Sequence, residues 1–239
     1  MDRVLIIIPA YNEEKSIRNV IQTVKSEYPD YDIVVVNDGS RDSTAAIVEK
    51  CGVKMISLPF NLGIGGAVQT GLIYAKEYNY DIAIQVDADG QHKPEEVHKL
   101  VDILRRGDAD MVVGSRFLEK TDYHSSFMRK LGNLIFSGLI ALVTKQKFSD
   151  STSGFRAFNK RAIAFLANYY PTEFPEPESL VILKKHGFNI KEVSVYMNER
   201  QGGQSSVTKF KAVYFMISIS IAILIDWIKK PVIMESNYE

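Results

Sequence analysis

Asp87-Ala88-Asp89 places two carboxylates one residue apart, separated by a small side chain. Both acids can approach a single hard cation. Magnesium and similar ions prefer oxygen ligands and are normally shared between a few carboxylates and substrate phosphates. A cation held there would offset the charge that grows on a departing phosphate. Gln91, two residues on, offers a further neutral oxygen. A bare acid-x-acid triplet is more often a solvated turn, so its position in the fold decides its meaning.

Other polar clusters accompany it. Asn37-Asp38-Gly39-Ser40, with Asp42 and Thr44, can accept hydrogen bonds from a base and ribose, or can simply cap a helix. Asn61-Leu62-Gly63-Ile64-Gly65-Gly66 reads either as a phosphate cradle before a helix or as a loop packed tightly on the sheet. It lacks the lysine and hydroxyl of a P-loop. Arg116, Arg129, Arg156 and Arg200 fall near element ends, where guanidinium forks suit phosphate oxygens. Each alone reads more readily as a surface or salt-bridging residue; as a group beside an acidic metal site they suit an acceptor phosphate. His92 is read as a metal or phosphate contact, or as a surface side chain flanking a helix.

The elements that must position these groups alternate in type. Val4–Ile8, Ile33–Val36, Val53–Ser57, Ile82–Val86 and Met111–Val113 are apolar runs that read as buried strands. Between them, Ile17, Val20, Ile21 and Val24 recur at helical spacing, with Asn12 as the expected N-cap and Glu13 and Glu14 in the first turn. Further helices are expected from Ala45 to Gly52, over Ala67–Tyr78, and after Pro94. Such alternation predicts right-handed βαβ units and an α/β fold: a Rossmann-like, mostly parallel sheet flanked by helices. Ligands of these sheets bind at the carboxyl ends of the strands, where Tyr11–Glu13, Asn37–Ser40, Asp87–Gln91 and Ser115-Arg116 all fall. Beyond Arg116 the pattern predicts a loop over 117–126, an apolar helix Leu131–Thr144, an extended Ser153–Phe158, a helix Glu178–His186, a strand Ile190–Tyr196 and a flexible loop 201–206.

Taken together, the motifs resemble inverting glycosyltransferase family 2, which has the GT-A fold. They are Pro9-Ala10-Tyr11-Asn12-Glu13-Glu14, Val36-Asn37-Asp38-Gly39-Ser40, Asn61-Leu62-Gly63 with Thr70-Gly71, Asp87-Ala88-Asp89-Gly90-Gln91-His92 and Gly114-Ser115-Arg116. Asp150-Ser151-Thr152-Ser153-Gly154-Phe155-Arg156 and Glu199-Arg200 with Gly203 follow in family order, so the likeness covers residues 3–206. The DADGQH and SGFRA forms resemble dolichyl- and polyprenyl-phosphate sugar synthases. The resemblance implies that Pro9, Tyr11, Glu13 and Asp38 hold the nucleotide, with Gly63, Asp87 and Ala88 beside it. It implies a Mg2+ or Mn2+ cofactor on Asp89 and Gln91 near Asp87. Arg116, Arg129 and Arg200 would meet phosphates, and Glu178 would lie near the sugar and acceptor. Ser205-Ser206 departs from the basic residue that many synthases carry there, which weakens the acceptor-loop assignment. Asn37-Asp38 looks more like users of UDP-sugars than of GDP-mannose.

The implied reaction moves a hexose or N-acetylhexosamine from a UDP-sugar to a polyprenyl (undecaprenyl) phosphate, with inversion, at the cytoplasmic face of the membrane. A polysaccharide or protein acceptor, or a non-catalytic nucleotide-sugar-binding subunit, are the competing readings. A phosphate acceptor suits a site rich in arginine. A phosphate monoester has its second pKa near about 6 and is already a strong anion at neutral pH, so no tuned general base is required.

Composition agrees with a globular chain: 239 residues, 46% apolar and 24% charged. Basic and acidic residues number 29 each, so the total charge gives no reason to expect nucleic-acid binding. Cys51 is alone and is expected to be a small buried hydrophobe in a reducing compartment. Val4–Ile8 is too short for a secretory signal. Ala212–Ile225 is apolar nearly all round, about 21 Å as a helix at about 1.5 Å per residue, against a bilayer core of about 30 Å. Lysines and Trp227 flank it. The expected organisation is a catalytic domain over 1–206, with a nucleotide-sugar half (1–116) and an acceptor half (117–206). Residues 207–239 would form a membrane-associated apolar helix and tail, peripheral or partly inserted. A small membrane protein or a second copy of the chain is the candidate partner of that helix.

Overall fold

The computed structural model describes residues 2–118, 127–198 and 209–229. The chain runs β1 (Val4–Ala10), α1 (Ile17–Glu27), β2 (Asp32–Asn37), α2 (Thr44–Lys50), β3 (Lys54–Ser57), α3 (Gly63–Glu77) and β4 (Ile82–Gln85). A 3-10 turn (Pro94–Glu96) leads into α4 (Val97–Arg105), followed by β5 (Met111–Ser115) and α5 (Phe127–Thr144). Then come β6 (Arg156–Asn159), α6 (Lys160–Tyr169), α7 (Pro175–Lys185), β7 (Ile190–Ser194) and α8 (Lys209–Ile228).

The strands form one sheet in the order β3-β2-β1-β4-β6-β5-β7. All neighbours are parallel except β6, which runs antiparallel to β4 and β5. From β1 the chain winds outward to β2 and β3, then crosses back to place β4 on the other side. That reversal opens a crevice at the carboxyl ends of β1 and β4.

Alternation along β1 explains the two-sided core. Leu5 and Ile7 face the helices α3, α5, α6 and α7, while Val4, Ile6 and Ile8 face α1 and α4. Every β1 residue is buried, as its continuous apolar run requires. Gly71 lets α3 lie directly on this strand. A Cβ there would collide with the Cγ2 of Ile7, a buried β-branched side chain with no room to turn. Gly71→Ala is therefore expected to destabilise the fold by about 1–3 kcal/mol, despite the helix preference of alanine. Urea unfolding of the two proteins checks this; equal midpoints would contradict it.

Several sequence expectations are corrected. Asn12 is not a helix N-cap. It adopts φ +56°, and the chain turns once more before α1 begins after Ser16. Asn12 instead accepts a hydrogen bond from the Arg41 N–H (2.8 Å), and neither Glu13 nor Glu14 lies in the first turn. Helix α3 starts at Gly63 and not Ala67, so most of the expected glycine loop is helix. Helix α6 was not legible in advance. Cys51 is partly buried, packed beside the α1 and α2 core as a small apolar group. The expected loops 117–126 and 201–206 lie largely or wholly outside the described residues. Among the described residues, no helix is long and apolar enough to cross a membrane.

Candidate active site

A cleft of about 430 Å³ occupies the crevice, within the size range of small-ligand sites. Pro9, Tyr11 and Glu13 enter it from the end of β1. Asp38 comes from the end of β2, Gly63 from the first turn of α3, and Asp87, Ala88 and Asp89 from the end of β4. Eight residues named from the sequence thus line one cavity, although they are spread over about a third of the chain. Gln91 does not line it.

Asp38 has a structural duty there. Its carboxylate is almost fully buried and accepts hydrogen bonds from the Leu62 N–H (2.7 Å) and the Gly63 N–H (2.9 Å). The anion at the positive end of α3 is therefore the protein's own. The phosphate-cradle expectation for Asn61–Gly66 is corrected accordingly, since its leading amides are already occupied. Close packing accounts for Gly65: a Cβ there would lie 2.7 Å from the Pro171 carbonyl oxygen.

The neighbouring Asn37–Thr44 turn ties two loops together. The Asp42 carboxylate accepts from the Thr44 N–H, the Thr44 hydroxyl and the Glu14 N–H. Burial pushes its pKa up, but these bonds outweigh burial and hold it below the ordinary value. Thr44 Oγ1 in turn accepts from the Glu13 N–H (2.8 Å). Of this turn, Asp38 alone reaches the cleft; the rest braces it.

Asp87 is held from three sides. Gln85 Nε2 donates to its Oδ1 (3.0 Å), and His92 Nε2 lies 3.4 Å from its Oδ2. The Asp87 N–H donates to His92 Nδ1 (3.0 Å), which puts the imidazole proton on Nε2, toward the carboxylate. His92 is buried and stacks on Phe155. It is a bracket for Asp87, not the surface side chain considered as an alternative. Asp89 is buried, and its Oδ1 accepts from the Gln91 N–H (3.0 Å). The two carboxylates are hard oxygen donors on one wall of the cleft. Among the described residues no three His, Cys, Asp or Glu side chains converge. The donor set thus fits an ion that takes protein carboxylates on one side and phosphate oxygens on the other.

Arg116 is committed differently from the expectation of a phosphate contact. Its Nε and Nη2 form a fork on the Asp150 carboxylate (2.6 and 2.7 Å), and its N–H donates to the same group (3.1 Å). Asp150 is completely buried. Glu192 accepts from the Asp150 N–H, and Asn133 accepts from the Ser151 N–H, so β7 and α5 both anchor this turn. Asp150 was not singled out as a site residue; its place at the head of the Asp150–Arg156 family motif was the sequence signal.

Arg156 is fully buried on β6. Its Nε donates to the Ser153 carbonyl (2.7 Å) and its Nη1 to the Ser179 hydroxyl (2.5 Å), while Nη2 has no hydrogen-bond partner. Burial pushes its pKa down, against the opposing pull of Tyr170 and Glu176. Burial likewise pushes the Glu176 carboxyl up; Arg156 opposes this, and Asp87 adds to it.

Glu178 turns toward α8. It is buried, and one carboxyl oxygen lacks a partner, as does one oxygen of Asp226 on α8. Burial first, and the Asp226 charge second, push its pKa from 4.5 up to about 7; a backbone hydrogen bond at Phe174 and the Lys229 charge oppose this, and Glu173 adds to it. Lys229 pairs with Asp226 (2.8 Å), and Lys185 caps the end of α8 through the carbonyls of Asp226, Trp227 and Lys229. Folded Glu178 keeps its proton to a higher pH than the unfolded chain does. The folded state therefore loses stability as pH rises from about 4.5 to about 7. Glu178→Gln cannot ionise and is expected to melt above wild type at pH about 8, and alongside it at pH about 4. Thermal unfolding at both values checks this; an equal difference at the two would contradict it.

The side chain of Arg129, in the first turns of α5, and the whole of Arg200 lie outside the described residues.

Comparisons with known proteins agree with this geometry. Residues 5–166 match the glycosyl transferase family 2 model. The UDP-N-acetylglucosamine–dolichyl-phosphate N-acetylglucosaminyltransferase of Methanococcus voltae is 33% identical, over 93% of this chain and 98% of the relative. The undecaprenyl-phosphate mannosyltransferase of Micrococcus luteus is 30% identical, over 86% and 88%. Among solved structures, glucosyl-3-phosphoglycerate synthase from Mycobacterium tuberculosis, in complex with Mn2+, UDP-glucose and phosphoglyceric acid, superposes with TM-score 0.73. That likeness covers 95% of this chain and 80% of the other at 19% identity, and so speaks for the GT-A-like fold alone. With the strand-end acids gathered in the β1/β4 crevice and the family pattern running through most of the sequence, the chain belongs to glycosyl transferase family 2.

Proposed function

We propose that the protein transfers a hexose or N-acetylhexosamine from a UDP-sugar to a polyprenyl phosphate, with inversion at the anomeric carbon. The observation that carries this is the meeting of Asp87 and Asp89 with Pro9, Tyr11, Glu13 and Asp38 in one strand-end cleft. The activities of the M. voltae and M. luteus relatives support a lipid-phosphate acceptor.

In this mechanism Tyr11, Glu13 and Asp38 hold the nucleoside, and Asp87, Ala88 and Gly63 border the diphosphate. Asp89 and Asp87 would hold Mg2+ or Mn2+, with the Gln91 N–H bracing Asp89 from outside the cleft lining, and the ion would neutralise the diphosphate as the glycosidic bond breaks. His92 and Gln85 keep Asp87 turned to the cleft. The acceptor phosphate is already an anion and attacks from the face opposite the leaving group, so no side chain need remove a proton from it. Arg129 and Arg200 would bind that acceptor. Arg116, tied to Asp150, shapes the acceptor side (117–206) beside the nucleotide-sugar half (1–116).

We place the enzyme at the cytoplasmic face of the membrane. Phe215, Ile217, Ile221, Leu224, Ile225 and Trp227 of α8 are exposed, and α8 packs on α5, which exposes Leu134 and Leu142. Apolar side chains in such number favour a lipid surface or a membrane partner.

The test incubates the full chain with undecaprenyl phosphate, Mg2+ or Mn2+, and a panel of UDP-glucose, UDP-N-acetylglucosamine and GDP-mannose. A lipid-linked sugar, lost on adding EDTA, is the expected result. Transfer to a soluble glycan without lipid phosphate would replace the acceptor assignment. Tight UDP binding with no product from any acceptor would replace the enzyme reading.

A further inference from the structure

Asp87 has its bracket in His92 and Gln85. The turn that follows it, which carries Asp89, is braced from a distant part of the sequence. Beyond β7 the chain continues toward that turn. The Val195 N–H donates to the Ser115 carbonyl (3.1 Å), and Met197 forms an antiparallel bridge with His92. Asn198 then bonds twice to the acidic turn. Its N–H donates to the Gln91 carbonyl (2.8 Å), and its side-chain Nδ2 donates to the Gly90 carbonyl (3.3 Å). Asn198 and Gly90 stand 108 residues apart in the sequence.

The side-chain bond falls on one particular peptide group. The Gly90 carbonyl and the Gln91 N–H belong to a single planar unit and point in opposite directions. The Gln91 N–H donates to Asp89 Oδ1 (3.0 Å), so this unit is held at both ends. The Asp89 carboxylate holds one side and the Asn198 amide holds the other. Gly90 makes the second hold matter. Its φ is +77°, and a glycine there offers little resistance to rotation of the adjoining peptide. Such a rotation would turn the Gln91 N–H away from Asp89 and bring a carbonyl oxygen toward the carboxylate in its place. Asn198 does not line the cleft, so it opposes the rotation from behind the acids.

We propose that Asn198 is a positioning residue for the metal: its amide fixes the Gly90–Gln91 peptide, whose N–H keeps the Asp89 carboxylate turned for a divalent cation. This rests on the metal reading of Asp87 and Asp89. Hydrogen bonds behind a metal ligand set its direction, and losing one typically lowers metal affinity about ten- to a hundredfold. It differs from a purely structural role, in which loss of the amide would show in the stability of the segment and not in the ion.

The experiment follows the ion itself. The electron paramagnetic resonance signal of free Mn2+ is recorded as the full chain, with UDP, takes up the metal, against a protein-free control. Asn198→Ala and the shape-conserving Asn198→Leu keep the backbone bond to Gln91 and lose the amide. Both should weaken Mn2+ binding about tenfold or more while the melting temperature stays within a few degrees. Turnover should fall at limiting Mn2+ and return toward wild type at saturating Mn2+, a change in the metal requirement and not in kcat. Tyr196→Ala, at an exposed side chain of the same segment, should leave Mn2+ affinity within about twofold. Mn2+ affinity unchanged in both Asn198 variants, or lowered as much by Tyr196→Ala, would overturn the proposal. If one Asn198 variant does not fold, the other decides; if neither folds, the amide serves the fold and the proposal falls. A wild type that takes up no Mn2+ beyond the control would overturn the metal reading as well. Metal binding that depends on Asn198, with no lipid-linked product, would support this inference while sinking the acceptor assignment alone.

Discussion

Asp89→Asn is expected to lower sugar transfer about a thousandfold or more while the melting temperature stays within a few degrees. The carboxylate is buried at the end of a strand, outside both apolar clusters, and its Oδ1 accepts one backbone N–H, from Gln91. An asparagine carbonyl oxygen can accept the same bond, so the turn should survive. What the amide cannot supply is the negative charge that holds a divalent ion against the diphosphate. About three powers of ten correspond to about 4 kcal/mol of transition-state stabilisation, within reach of a metal acting as Lewis acid. UDP-sugar turnover and thermal unfolding, measured on the same preparation, check it. Near-normal turnover would remove Asp89 from the metal, whatever became of the rest of the site.

Asp150→Ala is expected to do the opposite, with its main effect on the fold. Asp150 accepts three hydrogen bonds from Arg116, two of them a fork from the guanidinium, in a site closed to water. Removing the carboxylate leaves a buried cation without its partner, a loss of about 3–5 kcal/mol. For a chain of this size that lowers the melting temperature by roughly 10 °C. Replacing both partners with apolar residues of similar volume, Arg116→Met with Asp150→Leu, should recover much of the lost stability, because no charge is then stranded. Calorimetric unfolding of the single and double variants checks both statements. A single variant that melts within a degree or two of wild type would show that Arg116 finds another anion.

The two variants separate kinds of residue that look alike in the sequence. Asp89 and Asp150 are both acids in short polar turns. One lines a cleft, and the other is completely buried. The strand-end triplet marks Asp89 in the sequence, but nothing local tells how deeply either acid is buried, because burial depends on which distant elements close over each turn. Asp150 is sealed by Glu192 on β7 and Asn133 on α5, which stand 42 residues after it and 17 residues before it in the sequence.

The same division runs through the molecule. Strand and helix alternation was legible because fully buried strands such as Val4–Ile8 must be apolar along their whole length, and amphipathic helices such as α1 must repeat at helical spacing. The site was legible as a set of strand ends, since a parallel sheet gathers its polar carboxyl ends on one edge. Hence Pro9, Tyr11, Glu13, Asp38, Asp87 and Asp89 stand out in the sequence itself, and all line the cleft. Tertiary structure alone decided which partner each charged group meets. Asp38 turned out to cap α3, Arg116 to bind Asp150, and Glu178 to face Asp226 on α8. The physical reason is range. Apolar periodicity reflects neighbours within one element, whereas a charge in a low-dielectric interior answers to whichever group the folded chain brings within a few ångströms.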